Sequence, residues 1–443
     1  MATEDDDYRK KAHESIKLLI EGESERTNSS KQANVTICMV PDTLRNLDPP
    51  SYTPRVTSIG PLHKKDEHLR AMEEHKVTYM YRLFCRTTEF RKKNIEQITY
   101  KCVEAVLGRL TDARACYAPS FSIYDDSKFA EMLVIDGCFI LELLYRFKYG
   151  IGEGDPIFDN ILVLRDIKHD LLLLENQMPF FVLEILFNIT MKRIVKPAPL
   201  ITDLVFYFFN EMNILNDTEF TRKEGTYDDC HILGLLQSCY KPRATNRGGV
   251  PNISYSATEI AGAGVNFKPQ NDKDYLLAVN FKQSALVPGL GALFVRETCF
   301  EIPVLCMKDS THSFFRNLIA YEQCYPLSRH YVTSLAFLMD SLIDTNDDVL
   351  LLVRSKVIQY KLGAIEDVTN MFNNICNGVV LRDFYYVDEW RQLDAYCNRF
   401  WPSILIWLRR LYRSTTWATL TFIGAAILFI FTLLQTIYTV GDV

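Results

Sequence analysis

The chain has 443 residues, 48% hydrophobic and 12% aromatic, with a formal net charge of −6. That length and apolar content allow a sizeable core and admit more than one domain. The acidic balance, with no concentrated Lys/Arg stripe, argues against nucleic acid as the main partner, because phosphate binding needs clustered cations. Twelve cysteines occur singly, with no C-x-x-C pair. Most sit among apolar residues, as Cys138 does in DGCFILELL, so reduced thiols are expected rather than disulfides or a metal site.

Residues 1–34 are polar and charged and read as a mobile tail. The opening MATEDDDYRKK has no apolar core of a secretory signal. From Val35 a stretch carrying Pro41, Pro49, Pro50, Pro54 and Pro61 predicts an extended, irregular segment, since proline fixes φ and removes a donor. Helices are expected over 64–245. In the first of them Leu69, Met72, Lys76, Tyr79, Met80 and Leu83 recur at three and four, forming one stripe. His68 and His75 share a face near His63, but no third ligand joins them at close spacing. Solvated helix histidines are therefore the expectation.

The run from Lys128 to Phe147 is apolar nearly all round, interrupted by Asp136 and Gly137. It predicts two buried helices meeting there, with Gly137 permitting close packing and Glu142 needing a partner. The most apolar stretch of the body follows, Ile161–Phe187. Within it Glu175-Asn176-Gln177-Met178-Pro179 separates two apolar runs. Pro179 fits the first turn of a new helix, so this segment reads as a helix-to-helix junction whose side chains cap both ends. Asp170 and Glu175 form a conceivable acid/base pair, although no nucleophile or oxyanion donor accompanies them.

Asn246–Pro251 is the best internal break. Beyond it the period shifts toward two, and a small sheet or hairpins are expected within 255–308. Gly262-Ala-Gly264 and Gly289-Leu-Gly291 lack the spacing of a phosphate cradle and read as turns. Helices resume over 311–412. Asp344–Asp348 lacks the glycine and twelfth-position glutamate of a calcium loop.

The last apolar stretch, Trp417–Tyr438, holds 22 residues without a charge. As a helix it would reach roughly 33 Å, about a bilayer's hydrocarbon thickness. A transmembrane helix over 416–438 is thus expected, with Trp417, Leu420, Phe422, Ile427, Phe431, Leu434 and Tyr438 as its anchor residues and 439–443 as a short tail. Arg409, Arg410 and Arg413 precede it, which orients the body toward the cytosol. Five Asn-x-Ser/Thr sequons pull weakly toward an exoplasmic body.

Several runs resemble the plant family called domain of unknown function 247. They are Ser58–Lys76, Met132–Leu144, Asp170–Phe187, Ile302–Cys324 and Phe337–Leu352, and the family also ends in one membrane helix. The resemblance runs from about Val35 to Tyr438. It singles out Gly60, Pro61, Asp136, Gly137, Glu175, Asn176, Gln177, Pro179, Asn317 and Glu322 as motif positions. Around Leu62-His63-Lys64-Lys65 the chain departs from the family's usual His pair and Gly. The resemblance implies a plant protein with no established enzymatic activity and no cofactor. Some grass members are linked to self-incompatibility, as pollen-side determinants meeting a small secreted partner.

Together these readings predict a mainly α (α+β) protein: a multi-helical body over 35–412 with a small β insertion, and one C-terminal transmembrane helix. The expected role is a membrane-anchored recognition or signalling component at the plasma membrane or endoplasmic reticulum. Its partners would be the lipid bilayer and a protein or small secreted peptide. The alternatives are an enzyme with an acid/base site near Asp170 and Glu175, and a purely structural anchor. None of the hydrolase, metalloprotease, nucleotide-binding or kinase signatures is present.

Overall fold

The computed structural model describes residues 13–14, 16–17, 35–89, 91–118, 124–150, 154–215, 218–221, 230–240, 242, 248–249, 255–272, 274–283, 297–325, 328–361, 364–398 and 424–432. The chain forms two compact units, and neither is one continuous run. Unit 1 takes Met1–Met39, Pro54–Ile201 and Asp229–Ile232; unit 2 takes Val40–Thr53, Thr202–Asp228 and Leu233–Val443.

Unit 1 is helical. Its main elements are α1 (Arg70–Thr88), α2 (Lys92–Leu107), α3 (Leu110–Ala115), α4 (Asp126–Tyr149), α5 (Ile161–Asp170) and α6 (Phe180–Ile189). The central element is α4, which packs against α1, α2 and α6. It starts where the Asp125 carboxylate accepts the Lys128 N–H at 2.8 Å, satisfying a donor that helical bonding leaves over. Arg146 and Lys148 lie in its last turn, where cations oppose the helix dipole favourably. Leu133, Cys138, Phe139, Leu141 and Leu143 are fully buried on it. At roughly 1.5–3 kcal/mol for each large apolar side chain, their burial anchors the unit.

The expected break at Asp136-Gly137 does not occur, because α4 runs through it. Asp136 meets a buried cation from α1, so the helix can carry the charge inward. Gly137 does serve close packing: a Cβ there would lie 2.4 Å from Leu186 Cδ1 on α6. The junction after α5 is also present. Gln177 Nε2 donates to the carbonyls of Leu171 (2.8 Å) and Leu173 (2.9 Å), and Asn176 Nδ2 to that of Asp170 (2.9 Å). These side chains therefore close the outgoing end of α5. At the start of α6, beside Pro179, the Phe180 N–H instead donates to the Cys230 carbonyl at 2.9 Å.

Unit 2 combines helices with two small sheets. Its helices are α7 (Ile201–Phe209, from its second residue), α8 (Ile232–Ser238, likewise), α9 (Ala257–Gly262), α10 (Asp309–Cys324), α11 (Tyr331–Leu342), α12 (Asn346–Arg354), α13 (Ile365–Ile375) and α14 (Val387–Cys397). The strands are β1 (Asn266–Pro269), β2 (Asn280–Lys282), β3 (Cys299–Ile302), β4 (Leu305–Met307) and β5 (Ile358–Tyr360). The first sheet has the order β1-β3-β2, with β1 parallel and β2 antiparallel to β3. The second pairs β4 with β5 in parallel, Leu305 opposite Ile358. Two local readings change. Ala257–Gly262 is a helix, opened by the Ser256 N–H donating to Glu259 Oε2 at 3.0 Å. The run after α12 leaves the helix and becomes β5, because β4 offers it a pairing edge.

The expected transmembrane helix is corrected. Among the described residues, no helix is long and apolar enough to cross a membrane. Of the anticipated span only 424–432 is described, as helix. Nine residues at 1.5 Å each reach about 14 Å, less than half of a hydrocarbon core of roughly 30 Å. Ile427 and Phe431 lie on this helix and are exposed. Trp417, Leu420, Phe422, Leu434 and Tyr438, with Arg409, Arg410 and Arg413, lie outside the described residues. The single-pass anchor thus loses its support, and with it the membrane localisation inferred from it. Composition measures how compatible a segment is with lipid. Spanning needs about 20 residues in one continuous helix, and composition does not establish that continuity.

Candidate functional site

Unit 1 holds several of its polar side chains in buried clusters. Asp170, at the end of α5, is fully buried. One of its carboxylate oxygens accepts the Arg55 N–H at 2.8 Å, and the other accepts those of Val56 (2.7 Å) and Thr57 (2.9 Å). Proline fragments the chain just before this point, leaving these N–H groups without a ladder partner, and Asp170 supplies the acceptor. Asn176 continues the clamp. Its Oδ1 accepts the Ile59 N–H at 2.6 Å, while its Nδ2 donates to the Thr57 carbonyl at 3.0 Å.

Gly60 comes next, and its N–H donates to Asp136 Oδ2 at 2.9 Å. Its φ is +69°, and a Cβ there would lie 2.8 Å from the Gln177 carbonyl and 2.9 Å from Tyr117 Oη. Only glycine fits both the left-handed backbone and the close approach. The other oxygen of Asp136 accepts from Lys76 Nζ at 2.8 Å. Lys76 is fully buried, pairs with Glu73 at 2.7 Å and donates to the Ser58 carbonyl. Burial tends to raise the pKa of Glu73, but Lys76 and Lys64 outweigh it and hold the carboxyl below its usual value. A buried lysine with this many acceptors satisfies the rule that interior charges are paired and hydrogen-bonded.

His63 closes the segment. Its Nε2 lies 3.0 Å from Glu175 and its Nδ1 2.9 Å from Asp66. Burial opposes its protonation, yet the two carboxylates prevail and raise its pKa. Glu142 also has its partners: Arg86 at 2.8 Å and Arg146 at 2.7 Å. Arg146 in turn meets Asp155, and its guanidinium lies over the Tyr79 ring.

Unit 2 has a second buried acid, Glu322 on α10. Val332 and Thr333 N–H groups donate to it at 2.9 and 2.7 Å, the Thr333 hydroxyl at 2.6 Å and Gln237 Nε2 at 2.7 Å. Burial nonetheless pushes its carboxyl up to about 7. It joins α8, α10 and the first turn of α11. Asn317, one turn earlier, donates to the Ser51 carbonyl at 2.7 Å and fixes 49–51 onto α10.

An open cleft of about 700 Å³ lies beside α10 and α13 in unit 2, lined among others by Leu47, Asp48, His312, Arg316, Asp367 and Asn374. Arg316 Nε donates to His312 Nε2 at 2.8 Å and lies 3.3 Å from Asp48. Burial and then Arg316 lower the His312 pKa, and its Nδ1 lies 3.5 Å from Asp48. Among the described residues no group of three or more His, Cys, Asp or Glu is placed to hold a metal ion.

The family model for DUF247, described as a plant protein of unknown function, matches residues 37–431. The chain belongs to this family. Two Arabidopsis thaliana proteins are similar to this DUF247 chain. The UPF0481 protein At3g47200 is 27% identical over 436 residues, 92% of this chain and 86% of the relative. The putative UPF0481 protein At3g02645 is 21% identical over 490 residues, 91% of this chain and 90% of the relative. No solved structure matches.

Of the motif positions, the structure brings Gly60, Asp136, Asn176, Gln177, Glu175 and the neighbouring Gly137, Pro61 and Pro179 into the interior of unit 1. Asn317 and Glu322 belong to unit 2. Sequence reasoning placed Lys76 on the apolar stripe of α1 without recognising it as the cation for Asp136. Its position on that stripe was the available signal. The cleft around His312 and Arg316 had none, because its residues come from segments far apart in the chain.

Proposed function

We propose that this DUF247 protein is a non-catalytic recognition protein that binds a polypeptide segment in the cleft between α10 and α13 of unit 2. One observation carries the non-catalytic part. Both oxygens of Asp170 accept backbone N–H groups, and Glu175 faces His63. A general base needs a free lone pair within reach of a substrate proton. Of the two acids expected as an acid/base pair, Asp170 holds residues 55–57 and Glu175 faces His63, which supports the non-catalytic reading.

The lining of the cleft favours a peptide. It combines acids (Asp48, Asp309, Asp367) with cations (Lys308, Arg316) and adds the amides of Asn370 and Asn374. Both donors and acceptors are thus available to a backbone, and the exposed Leu47 offers an apolar contact. Rims of this kind give orientation and selectivity to protein contacts.

The test uses a photo-crosslinking amino acid at position 370 in the full-length chain, exposed to extract from the tissue that expresses it. The same group at the exposed Tyr100 of unit 1 is the control. A discrete polypeptide adduct is expected from position 370, weakened by Asp367→Lys and absent from position 100. Equal adducts from both positions, or none from position 370, would overturn the proposal.

A further inference from the structure

A second cavity of unit 2, about 650 Å³, lies where the chain passes from one sheet to the other. On one side the Gln270 N–H donates to the Ile302 carbonyl at 2.9 Å, just beyond β1. On the other the Leu305 N–H donates to the Val357 carbonyl at 2.9 Å, leading into β5. Pro303 and Val304, which connect β3 to β4, line the gap between these attachments. Proline at 303 offers no N–H there, so the chain leaves one sheet and joins the next without filling the space between them.

The floor is apolar, made by the buried Leu215, Leu276 and Pro303. Gln270 joins them and is 8% exposed. Its Nε2 is buried and, among the described residues, has no hydrogen-bond partner. An amide nitrogen left this way carries a desolvation penalty of about 1–3 kcal/mol, a cost that a native interior rarely keeps without a reason. No bond holds the terminal amide in its present rotation, and that torsion is broad. Rotation about that torsion is what brings the N–H to a bound ligand.

Lys356 stands at the rim, exposed, and among the described residues its ammonium has no carboxylate partner. Its backbone is at φ +61°, with its N–H donating to Val353 and the next N–H to Leu352. The base of the side chain is therefore fixed in direction. Two acids also line the cavity. Asp272 is occupied by the N–H groups of Asp274 (2.9 Å) and Tyr275 (3.2 Å), and Glu219 is exposed to solvent. Lys356 supplies one positive charge, which a single carboxylate balances, whereas a dianion such as a phosphate ester would carry a second, uncompensated charge beside two acids. A ligand with one negative charge and an apolar body matches it, and the volume lies within the usual range for small-molecule sites.

We propose that this cavity binds an amphipathic monocarboxylate. A carboxylate oxygen accepts the Gln270 N–H, Lys356 neutralises the charge, and the apolar body covers Leu215, Leu276 and Pro303. The site is distinct from the peptide cleft and does not depend on it.

The probe is decanoate, titrated calorimetrically into the full-length protein, with 1-decanol and decyl phosphate as comparisons. Saturable binding at one site is expected, with 1-decanol and decyl phosphate each weaker by about tenfold. Lys356→Met, at an exposed position, should weaken decanoate by about fivefold to tenfold and leave decanol unchanged. Gln270→Leu should weaken decanoate by a similar factor and lower the preference for acid over alcohol. Lys361→Met, also in unit 2 but outside the cavity lining, should change nothing. Should Gln270→Leu fail to fold, Lys356→Met decides alone. No saturable decanoate binding up to about 1 mM would overturn the proposal, and so would equal affinity for acid and alcohol or an unaltered Lys356→Met protein.

Discussion

Replacing Asp170 by alanine tests the buried network most directly. The carboxylate accepts three backbone N–H groups at 2.7–2.9 Å and is fully buried. Arg55 is exposed, so water can take over its N–H at little cost. Val56 is half-buried and Thr57 buried, and their donors have no such route. Hydrogen bonds to a charged acceptor contribute about 1.5–3 kcal/mol each, and a buried donor left without a partner costs about 1–3 kcal/mol. Asp170→Ala should therefore destabilise unit 1 by about 3–5 kcal/mol, and Asp170→Asn, which keeps one acceptor oxygen, by roughly half of that. Among the described residues, the neighbouring Asp166 pairs with Arg55 and Arg165 near the surface. Its alanine variant should lose less than about 1 kcal/mol. Urea unfolding of the full-length chain gives the stability, and hydrogen exchange of the peptide covering 54–60 gives the local effect. Exchange at 55–57 should accelerate in Asp170→Ala and not in Asp166→Ala. Indistinguishable behaviour of the two variants would refute the account of Asp170 as the acceptor that holds this segment.

Other outcomes follow from the same geometry. Gly60→Ala forces a Cβ against a backbone carbonyl at a left-handed φ and should lose about 2 kcal/mol or more, whereas Gly262→Ala, with open space around it, should be neutral or stabilising by up to about 1 kcal/mol; equal melting shifts would contradict this. Lys76→Met leaves Asp136 buried without its cation and should cost about 3–5 kcal/mol in urea unfolding, so a loss within about 1 kcal/mol would show that the pair is not needed. The Glu322 carboxyl, near 7 folded against an ordinary value of 4.5, holds its proton more tightly in the folded state. Its stabilising contribution is complete below pH 4.5 and is lost as pH rises through 7, by on the order of 1.4 kcal/mol per unit of difference. Glu322→Gln should flatten the stability profile across that window, and an unchanged slope would count against the assignment. His63 has the same sign: its raised pKa gives stability that is present below 6.5 and lost as pH rises through the folded value. Exchange of the 54–63 segment should quicken across that range in the native chain and lose this dependence in His63→Gln.

Periodicity and punctuation determined much of what is observed. The three-and-four spacing from Leu69 to Leu83 marks the buried face of α1, and it carried Lys76 inward with it. The density of proline over 41–61 left backbone donors that some other segment had to satisfy. Pro179 and the polar triplet before it placed the junction between α5 and α6, and the resemblance to the DUF247 family was visible in ordered motifs. These features depend on near neighbours, so a linear reading reaches them. Only the tertiary structure decided which groups meet. Asp170 accepts from a residue 115 positions away, and that contact makes it a clamp, although in isolation it resembled half of an acid/base pair. Asp136 sits within an unbroken helix because a lysine from another helix neutralises it. The segment after α12 became a strand because β4 offered an edge, and the apolar C-terminal run did not yield a described helix long enough to span a membrane. In each case the deciding energy belongs to a partner distant in the chain, or to a helix's continuity, and neither is written in local composition.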